Sequence, residues 1–386
     1  MYKVTAMLTE NGTTTTAVIH GSKLDLLARI TRGQLKEYVN SVPTFSFAMY
    51  PNNPGYDLIK NRLTKIVVTD DLGEDIFIGL VCSAADVMSD DGILYKSVIA
   101  KGELDYLNDV IISSMRITSG TYLEVAITRV LAIYNQKASS SKTIQMSSPP
   151  SVQLPGSYVA DYKTAAAMIK ELCEMCENED GGTYEYRINY ENNTRYLEVS
   201  SQFGSDSSTE LALSVNLQSM QRTIESTNII TRYYPLGAVD PTSSTGERLK
   251  LSNTESESYI GSNELEAIYG VCEAVGYYDD IKPDNWTVDV QKDLARMHLR
   301  AAAQKDYNKM IGTTKSFSIK AVDLSFINGS YESLRLYNTY RVINKLQNID
   351  DKARITGRTL DIDNPQNPTL TFGQKQATLT AMIAKQ

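Results

Sequence analysis

Residues 45–81 read FSFAMYPNNPGYDLIKNRLTKIVVTDDLGEDIFIGLV, and this stretch decides the predicted fold. Apolar and polar side chains alternate over 45–49, and the runs 65–68 and 76–81 are rich in β-branched residues, as is typical of strands. The acidic residues and glycine of 70–75 predict a turn, so the two runs should pair as a hairpin. Short strands at this spacing predict a β-barrel or a β-sandwich.

Two helices are predicted after this region. TYLEVAITRVLAIYNQKA, beginning at Thr121, repeats its apolar residues every three or four positions. A second helix is predicted from about Lys163 to Glu177, with Asp161 as its N-cap. Alternating apolar residues on both sides of an Asn-Asn pair then predict a hairpin over 184–199.

A third helix is predicted near Val288–Met310. Leu294, Met297, His298 and Ala301 are expected to share one face of this helix. Strand patterns return over residues 315–386.

This order of elements predicts an α+β fold that is mainly β, with two β-barrels and inserted α/β lobes. The predicted segments are 1–112 for the first barrel, 113–220 for an inserted lobe, 221–254 for the first part of the second barrel, 255–313 for the second part of the lobe, and 314–386 for the rest of the second barrel.

The composition argues against several classes of function. The net charge of −8 and the pI of about 5.1 argue against a nucleic-acid-binding surface as the main function. No membrane span and no signal peptide are expected, because the sequence has neither a run of about 18 apolar residues nor a basic-then-apolar N-terminus. Four cysteines without disulfide-scaffold spacing fit a reducing compartment. The 24 tyrosines against one tryptophan suit half-exposed strand faces and interfaces.

Cys173 and Cys176 form a CxxC motif. A redox site needs this motif at a helix N-terminus, where the dipole lowers a thiol pKa, but here it lies near the C-terminal end of the predicted helix. A zinc site needs a second ligand pair, and the sequence offers neither another CxxC nor a nearby histidine. We therefore expect ordinary helix packing and solvent exposure, with no metal and no cofactor.

His20 and His298 are the only histidines, so a hydrolytic triad or dyad would have to use one of them. His20 precedes Gly21-Ser22 at the end of a strand and is expected in a turn there, whereas His298 is expected to be partly buried in its helix. Neither stands in a recognisable hydrolase motif. No catalytic residue is expected.

Paired carboxylates are frequent, and all four pairs are expected in turns, where aspartate stabilises the bend. They are Asp70-Asp71, Asp90-Asp91, Asp279-Asp280 and Asp350-Asp351. The sequence leaves open whether one of them binds a cation, or whether two carboxylates face each other across a glycosidase cleft. Residues 361–364 are expected to form a turn rather than a calcium loop, because the glycine and the distal glutamate of such loops are absent.

Several stretches together resemble the tail-hub proteins of phages that infect Gram-positive bacteria. This family is often named prophage tail endopeptidase or tail-associated lysin, and it is similar in structure to the baseplate hub of contractile phages. The resemblance runs in order from about residue 40 to residue 373. It is carried by residues 45–81, VIAKGELDYLNDVI at 98–111, SVNLQSMQRTIESTNIITRYYPLGA at 214–238, IKAVDLSFI at 319–327 and TLDIDNPQNPTLTFGQ at 359–374.

The resemblance implies a structural role at a phage tail tip. Each protomer would carry two barrels similar to tail-tube subunits, so a homotrimer would form a pseudo-sixfold ring that docks on the hexameric tail end. The implied partners are the distal tail protein, the tape measure protein and receptor-binding or fibre proteins. The implied location is the virion tail tip or baseplate, after assembly in the bacterial host cytoplasm. An acidic ring would also let DNA pass during genome ejection without binding its phosphates.

Larger relatives carry a peptidoglycan hydrolase or fibre region after the hub, whereas this sequence ends at Gln386, soon after the predicted second barrel. We therefore expect the endopeptidase label not to transfer. Two alternatives to a structural hub stay open: a cell-wall-degrading tail peptidase or glycosidase, and a carbohydrate-binding module that uses Trp286.

Overall fold

The computed structural model describes residues 2–21, 26–147, 151–176, 183–191, 194–225, 230–254, 257–310, 314–329, 331–347 and 349–373. In this part the chain is mainly β, as the sequence predicts. The strands, numbered in chain order, are β1 (Lys3–Glu10), β2 (Thr13–His20), β3 (Ile30–Tyr38), β4 (Thr44–Met49), β5 (Thr64–Thr69), β6 (Asp75–Met88), β7 (Leu94–Gly102), β8 (Ile111–Ile117), β9 (Gln145–Met146), β10 (Tyr158–Thr164), β11 (Glu185–Glu191), β12 (Thr194–Ser200), β13 (Asp206–Ala212), β14 (Leu217–Glu225), β15 (Arg232–Val239), β16 (Arg248–Lys250), β17 (Ile260–Gly261), β18 (Glu273–Tyr278), β19 (Thr314–Ala321), β20 (Thr339–Asn344), β21 (Ile349–Asp361) and β22 (Thr369–Phe372). The α-helices are α1 (Leu123–Lys137), α2 (Ala165–Met175), α3 (Asn263–Tyr269) and α4 (Asp289–Met310).

The chain folds as two units, each with its own core. The first unit comprises residues 1–221 and 318–372, and the second unit comprises residues 222–317 and 373–386. Each is described by itself below.

The first seven strands of the first unit form one continuous run in the order β2-β1-β5-β6-β7-β4-β3. The predicted hairpin is confirmed, since β5 and β6 pair antiparallel with Val67 opposite Ile78. Alternate residues of these strands point into a shared apolar core that includes Val4, Phe45 and Ile66.

Strand β21 joins the N-terminal and C-terminal strands into one 13-stranded sheet. It pairs antiparallel with β3, with Leu360 opposite Leu35, and the sheet continues from it through β22, β19 and β14. Strand β20 also pairs with β21, and β13 lies parallel to β20. Gly357 sits where β21 passes the ring of Tyr38, and a Cβ there would lie 2.5 Å from that ring. Only glycine permits this close approach.

A compact lobe of the first unit packs α1 and α2 against small sheets. The β8–β10 pair and the β11-β12-β9 sheet supply its strands. Both predicted helices are confirmed. Their predicted apolar stripes are buried, namely Leu123, Ile127, Val130, Leu131 and Tyr134 of α1, and Ala165, Met168, Ile169, Leu172 and Cys176 in and just after α2.

The start of α2 differs from the prediction. Its N-cap is Thr164, whose hydroxyl accepts a hydrogen bond from the Ala167 amide at 3.2 Å. Asp161 instead lies in β10, and its carboxylate accepts a hydrogen bond from Arg116 at 2.9 Å. Either residue type can cap a helix, but β10 continues through Asp161 up to Thr164. The predicted hairpin of β11 and β12 is confirmed, although its turn at 192–193 and the Gly181-Gly182 pair lie outside the described residues.

The second unit is a four-stranded sheet covered by α4. Strand β15 pairs antiparallel with β16 and β17 along one edge and parallel with β18 along the other. Ser262 caps α3 by accepting a hydrogen bond from the Leu265 amide. In the core of this unit, Tyr233 and Leu249 of the sheet meet Leu299 of α4.

The four residues predicted to share a face of α4 do so, but that face does not pack on the sheet. The structure buries Ala295, Leu299, Ala303 and Tyr307, whereas Leu294, Met297, His298 and Ala301 are exposed. Both sets recur at helical spacing, so periodicity alone permits either face. The face that packs on the sheet has alanine at two contact positions, and these small side chains let the helix approach the sheet closely.

The division into five predicted segments stays a prediction, and strand pairing differs from it in two places. Strand β13 and the first residues of β14 fall in the predicted lobe 113–220, yet both strands belong to the 13-stranded sheet. Strand β15 falls in the predicted second barrel, yet it pairs with β16, β17 and β18. An apolar run identifies a strand without identifying its partner. No α-helix in the described part of the chain is long and apolar enough to cross a membrane.

Candidate functional site

The two cysteines of the CxxC motif are buried at the end of α2, so the expectation of solvent exposure is wrong. Cys173 and Cys176 expose 0% and 1% of their surfaces. Burial raises the pKa of the Cys173 thiol, and the neighbouring Cys176 and Glu174 raise it further. Burial also raises the pKa of Cys176 to about 11. Thiols are poor nucleophiles and poor metal ligands until they ionise, so this geometry suits packing rather than redox chemistry.

We expect a thiol reagent to label the native protein at Cys82 and to leave Cys173 and Cys176 unlabelled until the chain is unfolded. Cys82 is exposed, so it serves as the internal control. Peptide mapping by mass spectrometry measures the sites. Labelling of native Cys173 as fast as Cys82 would contradict the buried placement.

His20 is the last residue of β2 rather than part of a turn, and it is 1% exposed. Its Nδ1 accepts a hydrogen bond from the Ile30 amide at 3.4 Å, and its Nε2 lies 3.8 Å from Asp363 Oδ1. Burial lowers the pKa of His20, Asp363 opposes that effect, and Arg29 adds to it, with a net lowering. A neutral imidazole that accepts a backbone hydrogen bond in the core fits a structural role.

This lowered pKa predicts a loss of stability in mild acid. The unfolded chain protonates His20 near its ordinary pKa of about 6.5, whereas the folded chain protonates it only at lower pH. The unfolded state therefore binds more protons below that value, and stability falls by up to about 1.4 kcal/mol per pH unit. Urea unfolding of wild type and of His20→Asn across about pH 5 to 8 measures the difference. Parallel curves for the two proteins would show that His20 makes no such contribution.

His298 is exposed on α4 and lies in the second unit, whereas His20 lies in the first unit. The expectation of partial burial for His298 is wrong, because another face of α4 packs on the sheet.

Three of the four aspartate pairs lie in turns, as predicted. Asp70 Oδ1 accepts hydrogen bonds from the Leu72 and Glu74 amides at 2.9 and 2.8 Å, which closes the turn between β5 and β6. The expectation is wrong for Asp350-Asp351, which lie within β21. There Asp350 accepts from Arg341 Nε at 2.8 Å across the antiparallel pair β20–β21. No group of three or more metal-ligating side chains occurs among the described residues.

Two surface depressions of the second unit lack paired carboxylates. The larger one, of about 400 Å³, is lined by Leu251, Ser252, Asn253, Asp293, Arg296, Met297 and Arg300. The other, of about 270 Å³, is lined by Tyr234, Leu236, Lys250, Ser252, Asn253 and Ser258. A glycosidase requires two carboxylates facing each other, and these linings hold one and none. Trp286, the candidate sugar platform, is half-buried against the core of the second unit.

A buried carboxylate links the short 3-10 helix after β7 to strands β5, β11 and β12. Glu103 begins a short 3-10 helix after β7, and its side chain is 0% exposed. Arg195 of β12 donates to both of its oxygens, and Tyr190 of β11 donates to Oε2 at 2.6 Å. Lys65 of β5 lies 3.2 Å from Oε1, and Tyr106 donates to the same oxygen at 3.2 Å. The cluster of Glu103 with these four partners is called the Glu103 network.

Glu103 stays ionised inside this network. Burial raises the pKa of Glu103. The hydrogen bonds from Arg195 and Tyr190 and the charge of Lys65 together lower it by more than burial raises it, so the net shift is downward. Because the folded pKa lies below the ordinary 4.5, the stabilisation is present above that value and is lost as the pH falls below it. A fully covered carboxylate with all its partners inside the protein holds structure and offers no reacting group to a substrate.

A second ion pair links the lobe to the large sheet. Arg354 of β21 donates to both oxygens of Glu185 of β11, at 2.6 and 2.7 Å. It also donates to the carbonyls of Phe203 and Tyr337, at 2.9 and 2.8 Å. Arg187 lies over the Phe203 ring at 4.3 Å, which completes a mixed aromatic and guanidinium cluster. The lobe and the sheet are therefore held by two largely buried charge networks.

In the part of the chain that the structure describes, the main path of the 13-stranded sheet ends at β2 and at β14, and a side branch through β20 ends at β13. Strand β2 pairs with β1 alone there, and its Thr13–Thr16 side chains are exposed. An uncovered β-branched edge presents backbone donors and acceptors to another chain. The β2 edge and the β14 edge are the candidate assembly surfaces of the first unit.

Three solved structures share this fold over nearly the whole chain. They are a tail protein from Neisseria meningitidis MC58 (TM-score 0.58, 14% identity), the 43 kDa tail protein of prophage MuSo2 from Shewanella oneidensis (0.61, 10%) and the prophage tail protein gp18 from Listeria monocytogenes EGD-e (0.55, 11%). The match covers 99%, 96% and 99% of this chain and 98%, 96% and 97% of theirs. At these identities the likeness concerns the fold.

Residues 205–383 match the family described as prophage endopeptidase tail. The predicted resemblance to phage tail proteins is confirmed. The matched part begins at β13, and it includes the C-terminal strands of the large sheet and residues 222–317 of the second unit. No protein with a curated description matches the sequence.

Sequence reasoning missed the Glu103 network. An acidic residue that lies next to apolar residues, as in the GELDYL segment, is a weak signal of a buried charge. Arg195 carries no such signal, because charged residues are ordinary on a two-stranded hairpin.

Proposed function

We propose that this tail protein is a non-enzymatic hub subunit at the tip of a phage tail, where three copies close a ring. The ring ends the tail tube and connects the distal tail protein to receptor-binding or fibre proteins, with the tape measure protein inside. The two halves of the large sheet serve as the two tail-tube-like barrels of each protomer. The first half comprises β1–β7, and the second comprises β13, β14 and β19–β22.

One observation carries this proposal. A single sheet runs from the N-terminal strands through the β3–β21 pair into the C-terminal strands, and three tail proteins, two of them from prophages, share the fold over nearly their whole length. A protomer with two similar halves makes a sixfold-like surface from three copies. The free edges β2 and β14 are available to pair between neighbours, as ring closure requires.

Light scattering tests the ring. The proposal expects the purified protein, at micromolar concentration, to have a mass that is a multiple of three 42.9 kDa chains, with no added metal or cofactor. A protein that stays a monomer under those conditions contradicts a self-assembling ring.

The second candidate, a cell-wall hydrolase, is favoured only by the family's name. Zymography on cell-wall material separates the two, with His20→Ala and His298→Ala as controls. The hub proposal expects no clearing by any of the three proteins. Clearing by wild type that either substitution abolishes would establish the enzyme instead.

A further inference from the structure

Helix α4 carries apolar side chains on two opposite faces, and its sheet covers one of them. The outer face bears Val290, Leu294 and Met297, which are 78%, 53% and 68% exposed, and the exposed Ala301. On a helical wheel of 100° per residue, this outer stripe lies about opposite the buried Leu299. Each side chain alone would be unremarkable, but four in register form a continuous apolar stripe on a 22-residue helix.

The spacing of the outer stripe is that of a coiled-coil seam. Steps of four, three and four residues separate Val290, Leu294, Met297 and Ala301, so they occupy alternating d and a positions. The complementary surface for such a seam is another helix with the same spacing.

The charges beside the stripe indicate which helix can pair with α4 and in which direction that helix runs. Asp293 and Arg300 occupy successive g positions on one flank. In an antiparallel pair of identical helices, Leu294 meets Met297 of the partner subunit and Val290 meets Ala301 of the partner subunit. The same register brings Asp293 beside Arg300 of the partner subunit, twice, through the two-fold axis.

A parallel pair lacks this complementarity. It would set each g position against an e position of the partner, so Asp293 would lie beside His298 of the partner subunit. Asp293 and Arg300 would then no longer meet across the seam. The stripe and its flanking charges therefore complement themselves best in the antiparallel orientation.

We infer that α4 pairs antiparallel with α4 of a second copy of this chain, across a two-fold axis between Leu294 and Met297. This surface is separate from the proposed ring. A threefold ring has no such axis within it, so the contact joins subunits of two rings or two subunits outside a ring. In either case it doubles the mass of the unit that the protein otherwise forms.

The first test removes the stripe. The double substitution Leu294→Asp/Met297→Asp should halve the mass measured by sedimentation equilibrium. The control Ile268→Asp, on α3 and 70% exposed in wild type, should leave the mass unchanged. Far-UV circular dichroism and thermal melting verify that each variant is folded. Equal masses for wild type and the stripe variant overturn the inference, whether the common unit is a monomer or a trimer.

The second test exchanges the charges. Asp293→Arg alone places two cations together in the antiparallel pair, and Arg300→Asp alone places two carboxylates together. Each should weaken association at least about tenfold at low salt, and the combined Asp293→Arg/Arg300→Asp protein should regain most of it. Asp293 also accepts from Arg296 within its own helix at 3.0 Å, so Arg296→Gln is the control for losing that bond alone. A combined protein that associates no better than either single variant would show that the contact is not this antiparallel pair.

Discussion

Replacing Arg195 with methionine is expected to lower the free energy of unfolding by about 3 to 5 kcal/mol. The substitution fills a similar volume but leaves the Glu103 carboxylate, which is 0% exposed, without its two strongest donors. A buried charge that loses its partner keeps its desolvation cost and loses the interaction that offset it. Urea unfolding monitored by circular dichroism measures the change.

Two further variants test whether the effect of Arg195→Met comes from the loss of its buried pairing with Glu103. Arg116→Met removes a solvent-exposed arginine that also bonds a carboxylate, and it should cost much less. The combined Glu103→Gln/Arg195→Met protein should be more stable than Arg195→Met alone, because it no longer buries a carboxylate that has lost its arginine partner. A combined loss equal to the sum of the two single losses would mean that Glu103 and Arg195 do not act as a pair.

The substitution Leu299→Ala should destabilise the second unit by about 2 to 5 kcal/mol. Leu299 is 0% exposed and packs between α4 and its sheet, so its removal leaves a cavity. Met297→Ala is the matched control, two residues away and 68% exposed, and it should change stability by less than about 0.5 kcal/mol in dilute protein. Thermal unfolding measures both. The opposite ranking would restore the face of α4 that periodicity alone suggested.

Local patterns predicted the elements whose partners are close in sequence. The β5–β6 hairpin, the β11–β12 hairpin and the buried stripes of α1 and α2 all follow from alternation or helical spacing. Helix α4 shows the limit of that reasoning. Two apolar stripes satisfy the helical period, and only the sheet contributed by β15–β18 decides between them.

Long-range pairing lay beyond sequence reasoning. Leu35 and Leu360 are opposite each other across the β3–β21 pair although they lie far apart in the chain. A strand's own pattern does not identify such a partner, so the sequence alone does not show that β13 joins the 13-stranded sheet or that β15 pairs with β16, β17 and β18. The Glu103 network escaped prediction for the same reason, because its donors come from β5, β11 and β12.

The direct test of the proposed ring is electron microscopy of the purified protein. Class averages viewed along the symmetry axis should show three copies around an open or plugged centre, with six similar densities at the inner rim. A pair of rings joined through α4 gives the same view along that axis. Averages that show single subunits, or closed particles without threefold symmetry, would contradict the account.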